Sequence, residues 1–154
     1  MRLLRLVKAF GKFFIGSILS IYCYSNIRVY LCNHLNIGIW TLYKKRTIFH
    51  HPIGIVIGFK VQLGFNCQIF QNVTIGTKDT QNFKEGKYPK IGNNVIIYPN
   101  SIIIGDVNIG DNVIIGAGSI VLNDIPPNVV VAGSPAKVKK KIKDVNTSNC
   151  NTSF

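Results

Sequence analysis

From Ile57 onward the chain can be cut every six residues without losing phase: IGFKVQ, LGFNCQ and IFQNVT, then, after an interruption, IGNNVI, IYPNSI, IIGDVN, IGDNVI, IGAGSI and VLNDIP. The first position is aliphatic every time, at 57, 63, 69, 75, 91, 97, 103, 109, 115 and 121, the second is often Gly, and the fifth is small or β-branched. A fixed internal period marks a solenoid, and hexapeptide repeats mark a parallel β-helix in particular. Each hexad supplies a short strand and a corner. The aliphatic residue points inward, the fifth residue packs beside it, and Gly, Asn or Asp accept the bend that bulkier residues resist. An ordinary β-sandwich would need longer alternating strands and looser spacing. The fold class expected is therefore an all-β solenoid.

The repeat also divides the chain. The β-helix is expected over 36–136, broken by TKDTQNFKEGKYPK at 77–90, a polar, turn-rich stretch that should protrude from the wall as a loop. Residues 137–154 are expected to form a short basic helix and a disordered tail. Residues 1–35 lack the hexads. There Arg2, Arg5, Lys8 and Lys12 share one helical face while Leu3, Val7, Phe10 and Phe14 share another, the pattern of an amphipathic helix, and a weaker helical signal runs from Ile21 to Leu35. Such a helix can cap the open end of a solenoid or lie on an anionic membrane.

The stretch FFIGSILSIYCYSNI is too short and interrupted for a membrane span, and no small-residue cleavage site follows it. The expected location is cytoplasmic, with the N-terminal helix a candidate for peripheral contact with the inner membrane surface. Lys and Arg outnumber Asp and Glu by 18 to 6, a formal charge of +12, which favours an anionic partner without choosing among cofactor, membrane and nucleic acid. Nucleic acid is disfavoured, because the aromatics follow the N-terminal segment and form no stacking platform on a basic β-surface. Cys23, Cys32, Cys67 and Cys150 form no CxxC pair, so free thiols in a reducing compartment are expected, with Cys67 a small core residue and no metal site.

Two adjacent histidines open the repeat region in FHHPIGIVIG. A metal pair is disfavoured because neighbouring strand residues face opposite sides and no third ligand accompanies them. His51 lies six residues before Ile57, which assigns it a repeat position that elsewhere holds a core aliphatic. A polar ring is hard to explain there as packing. His34 is expected at the surface or in the cap.

HHPIGIVIG, then QNVTIGT, and a polar loop leading into YPKIGNNVIIYPNSIIIGDVNIGDNVIIGAGSIVLNDIPPNVVVAGSPAKVKK resemble the serine acetyltransferase branch of the hexapeptide-repeat acyltransferases, over about Asn36 to Lys141. The resemblance implies a left-handed coil, an exception to the usual crossover rule, and an acetyl-CoA-dependent O-acetyltransferase. It implies that His51 is the general base, a role suited to an imidazole that titrates near neutrality, and that the hydroxyl attacks the thioester directly. Asn36 stands fifteen residues upstream of His51, where the family places an orienting carboxylate. Asn can fix a tautomer there but cannot stabilise imidazolium by charge.

The resemblance places acetyl-CoA along Gly76, Thr77, Pro99, Ala117, Gly118, Ala132, Gly133 and Pro135, with Lys137, Lys139 and Lys140 toward its phosphates. His50, Lys87 and Tyr88 fall at acceptor-contact positions. It also implies a homotrimer with sites between neighbouring prisms. Tyr88 and Lys87 stand where the serine enzymes carry His and Arg, and the family's long helical N-terminal domain is replaced by about 35 residues. These departures favour a sugar hydroxyl of capsule, exopolysaccharide or lipopolysaccharide biosynthesis as acceptor. The alternatives are serine O-acetylation for cysteine synthesis and a non-catalytic hexapeptide scaffold.

Overall fold

A computed structural model describes residues 33–142. The hexad strands fall into three parallel sheets: β1 (His34–Leu35), β3 (Val56–Ile57), β6 (Thr74–Gly76), β9 (Ile102–Ile104) and β12 (Ile120–Val121) in one; β4 (Gln62–Leu63), β7 (Lys90–Ile91) and β10 (Asn108–Ile109) in the second; and β2 (Ile48–Phe49), β5 (Gln68–Ile69), β8 (Ile96–Ile97), β11 (Ile114–Ile115), β13 (Val129–Ala132) and β14 (Lys137–Lys141) in the third. Successive coils pair in register, Ile96 with Ile114 and Ile102 with Ile120, eighteen residues apart. The chain is thus a three-sided parallel solenoid. The first-position residues line the core: Ile57, Ile75, Ile103, Val121, Ile69, Ile97 and Ile115 are fully buried, as is Val131, which pairs with Ile115, and Leu63, Ile91 and Ile109 are nearly so.

The corners explain the asparagines. Arg46, Asn66, Asn94, Asn112 and Asn128 form one stack with φ between 52° and 58°, the left-handed conformation that Asn tolerates better than most side chains. Their amides also bond along the stack, Asn66 Nδ2 to Asn94 Oδ1 at 3.2 Å, Asn94 Nδ2 to Asn112 Oδ1 at 3.1 Å and Asn112 Nδ2 to Asn128 Oδ1 at 2.8 Å. Gly54, Asn72, Asn100 and Gly118 make a second left-handed stack at the next corner.

Outward side chains differ by face. The sheet containing β4 presents Gln62, Lys90 and Asn108, whereas the other two are more aliphatic, presenting His34, Val56, Thr74, Ile102 and Ile120, and Ile48, Gln68, Ile96, Ile114 and Val130. The loop at 77–90 leaves the wall as expected and contains a short helix, capped at its start by Asp79 and closed by left-handed Gly86.

Two expectations are corrected. The segment expected as a basic helix is instead strand β14, antiparallel to β13. The turn after Ala132 returns the chain along β13, whose free edge satisfies backbone groups that an isolated helical turn would leave exposed. The boundary at 35 also moves, because His34–Leu35 already pair with Val56–Ile57 and Leu35 is buried. In that first coil a helix, α1 (Ile39–Lys44), stands where later coils have a strand of the β4 sheet. The amphipathic N-terminal helix, and the tail beyond residue 142, lie outside the described residues. Among those described, no helix is long and apolar enough to cross a membrane.

Candidate active site

The register around His51 departs from the rest of the solenoid. His50 N donates to Ile69 O, which aligns His50 with Phe70, and Asn72 N donates to Ile53 O, which aligns Ile53 with Gln71. Between these rows the upper coil has two residues, His51 and Pro52, where the lower coil has none. His51 therefore does not occupy a core repeat position. Phe49, paired with Ile69, takes the inward place, and His51 stands exposed on an enlarged corner. Its φ of 50° is unusual for a non-glycine residue, and its carbonyl accepts from Ile53 N at 2.8 Å, which tightens the turn around Pro52. An exposed imidazole on an over-long corner can exchange protons with a molecule docked against that corner.

The residues expected to assist it lie in different settings. Asn36 is exposed, gives its backbone N–H to Ile57 O at 3.0 Å and makes no side-chain hydrogen bond to His51. His50 heads a stack of three rings, 4.5 Å from Phe70, which is 5.0 Å from Tyr98, and its Nε2 lies 3.1 Å from Gln68 Oε1. Tyr88 is buried, with Phe83 over it and Gly58 beneath; a Cβ at Gly58 would stand 2.8 Å from the ring. Lys87 is exposed and pairs with Glu85 at 2.7 Å, which holds the Glu85 carboxyl below its ordinary range and raises the lysine. The loop thus gives the two residues separate settings, a packed ring and a solvated ion pair.

The row through His50, Phe70 and Tyr98 continues across the same sheet to Gly116, Ala132 and Lys137. Beside it runs the corner row Ile53, Gln71, Pro99, Ala117, with Gly118 next to Ala117. The rows are bulky at His50, Phe70, Tyr98 and Gln71 and become small only at Gly116, Ala117, Gly118 and Ala132, beside the lysine strand. At Gly118 an added Cβ would meet nothing within 4 Å, so packing does not forbid a side chain there. The same holds at Gly76, which with Thr77 lies at the opposite end of its sheet, where the loop leaves. Within one chain the expected cofactor residues therefore occupy two different corners. The irregularity between Val130 and Val131 leaves Lys139 unpaired, while Lys137 and Lys140 stand opposite outward-facing Ala132 and Val130.

The structure adds residues that hexad counting does not single out. Gln71 Oε1 is buried beside the enlarged corner without a hydrogen-bond partner. Asn33 bonds directly to that corner. For Asn33 the available signal was a polar residue in the row that later coils fill with Ile55, Val73, Ser101 and Ser119, whereas Gln71 takes a position that other hexads often fill with bulky or polar residues and carried no signal. Among the described residues no group of three His, Cys, Asp or Glu could hold a metal ion.

Comparison with known proteins bears on these residues. Residues 88–123 match the bacterial transferase hexapeptide family (six repeats). A serine acetyltransferase of Buchnera aphidicola is 45% identical over 96 residues, covering 62% of this chain and 36% of that protein. The crystal structure of Neisseria gonorrhoeae serine acetyltransferase in complex with serine is 41% identical, with a TM-score of 0.54, covering 59% of this chain and 36% of that one. A serine acetyltransferase in complex with CoA is 33% identical, with a TM-score of 0.54, covering 60% and 37%. The chain thus spans little more than a third of the length of each. The saccharide acceptor expected from the short N-terminus finds no support in these relatives.

Proposed function

We propose that this chain, which carries the hexapeptide repeats of the bacterial transferase family, is an acetyl-CoA-dependent O-acetyltransferase whose acceptor is serine. The carrying observation is the enlarged corner: His51 is exposed on it, beside the row that leads through Gln71 and Pro99 to Ala117 and Gly118, in a stretch that resembles the serine enzymes. The coil is read as left-handed on the same resemblance.

In the reaction the acceptor hydroxyl attacks the thioester carbonyl while His51 takes its proton. A C–O bond forms, the C–S bond breaks, and the proton passes to the departing CoA thiolate. Gly118 and Gly76 leave room for a pantetheine arm to approach the backbone, and Lys137 and Lys140 would meet the phosphates as point charges. Gly76 and the His51 corner lie apart within one chain, and two of the three outer faces carry mostly aliphatic side chains. Both observations support a homotrimer in which neighbouring prisms complete each site.

The test is thiol release from acetyl-CoA with L-serine and, separately, a panel of sugars. Serine-dependent release should fall about 10²- to 10⁴-fold in His51→Ala. Release that needs a sugar, or that ignores His51, would overturn the reading.

A further inference from the structure

We infer that Asn33, and not Asn36, is the residue that positions His51. This rests on His51 being the base. Fifteen residues of counting leads from His51 to Asn36, but β1 and β3 pair His34 with Val56, twenty-two residues apart, where regular coils are separated by eighteen. The insertions that enlarge the first coil therefore dissociate sequence distance from position.

What reaches the corner is the Asn33 amide. Its Nδ2 donates to Pro52 O at 2.9 Å and its Oδ1 accepts from Ile55 N at 2.7 Å. These two bonds hold the centre and the exit of the turn that begins at His51 and is closed by Ile53 N donating to His51 O. Asn33 precedes His34 and so aligns with Ile55, in the row that continues as Val73, Ser101 and Ser119, the inward fifth positions of later coils.

The same row shows what a polar residue does at that place. The single Ser101 hydroxyl lies within donating distance of Tyr98 O, at 2.8 Å, and Gly116 O, at 3.0 Å, between the corners of two coils, and Ser119 Oγ donates to Gly116 O. A hydroxyl suffices at a corner of ordinary length. The His51 corner is two residues longer, and the larger amide both spans the extra distance and accepts from a backbone N–H as it donates. Neither bond touches the imidazole, so Asn33 acts through the backbone, holding His51 in its left-handed conformation. Asn33→Asp keeps the acceptor for Ile55 N and loses the donor to Pro52 O.

The experiment uses the full chain. Steady-state kinetics with acetyl-CoA and L-serine are measured for wild type, His51→Ala, Asn33→Ala, Asn33→Asp and Asn36→Ala, beside amide exchange at Ile55 and the His51 ring resonances by NMR. Asn33→Ala should lower kcat about 10- to 100-fold, as small misplacements of a reacting group do, with KM for acetyl-CoA unchanged, faster Ile55 exchange and shifted His51 resonances. Asn33→Asp should fall between Asn33→Ala and wild type, and Asn36→Ala should match wild type. A folded Asn33→Ala chain with wild-type kcat overturns the inference, as does an Asn36→Ala loss larger than that of Asn33→Ala. If Asn33→Ala does not fold, Asn33→Asp decides by the same readings. Should activity be absent or indifferent to His51→Ala, it is the base assignment that fails. Unmoved His51 resonances in the Asn33 variants would then still refute the positioning by themselves.

Discussion

Asn94 sits at the middle of the corner stack, and its replacement separates the two terms that make asparagine useful there. Its side chain accepts from Asn66 at 3.2 Å and donates to Asn112 at 3.1 Å, and its backbone holds φ at 55°. The amide is exposed, so each ladder bond contributes toward the low end of the usual range, about 0.5 kcal/mol. Placing an ordinary L-residue in the left-handed region adds roughly 1–2 kcal/mol. Asn94→Ala therefore loses both terms, about 2–3 kcal/mol in total. Asn94→Gly loses the ladder and some unfolded-state advantage, about 1.5 kcal/mol. The assay is urea unfolding followed by far-UV circular dichroism at one fixed protein concentration. With a slope near 2 kcal/mol per molar, Ala should lower the midpoint by about 1–1.5 M, and Gly by a visibly smaller step. Equal effects of Ala and Gly would refute the backbone term, and no effect of either would refute the ladder.

Gly76→Ala should leave stability within about 0.5 kcal/mol, since the added methyl meets nothing within 4 Å, yet raise KM for acetyl-CoA about tenfold if the arm passes there; an unchanged KM would remove Gly76 from the groove. Burial pushes the Cys67 thiol up in pKa, so the folded state keeps its proton to higher pH than the unfolded state does. That contribution is complete below the ordinary thiol pKa, about 8.5, and is lost as pH rises through the folded value. The stability difference between wild type and Cys67→Ser, from urea midpoints at pH 7 and pH 10, should shift against wild type at the higher pH, and a constant difference would refute the burial account.

Where the period was intact, counting was enough: each first-position aliphatic from Ile57 to Val121 lies inward, because a strand followed by a corner of constant length preserves facing. Counting fails where a corner changes length. The two residues added at His51 and Pro52 break the six-residue step to Ile57, so a residue expected inside lies outside, and the same coil's twenty-two-residue span conceals Asn33. The lysines of β14 misled for a different reason. A run of basic residues with good helix propensity carries no sign that a neighbouring edge is waiting to pair with it, and tertiary pairing overrode local preference.

That returning strand also bears on how the chain behaves in a crowd. A parallel solenoid ends in an unpaired edge that could template another copy, with nothing in the coil itself to stop head-to-tail growth. Here the third sheet closes with an antiparallel strand bearing Lys137, Lys139, Lys140 and Lys141, all exposed. An arriving strand would have to strip water from those ammonium groups and tolerate the irregular pairing beside Val130 and Val131. The returning strand thus closes the third sheet with charge and discourages fibre growth from that edge.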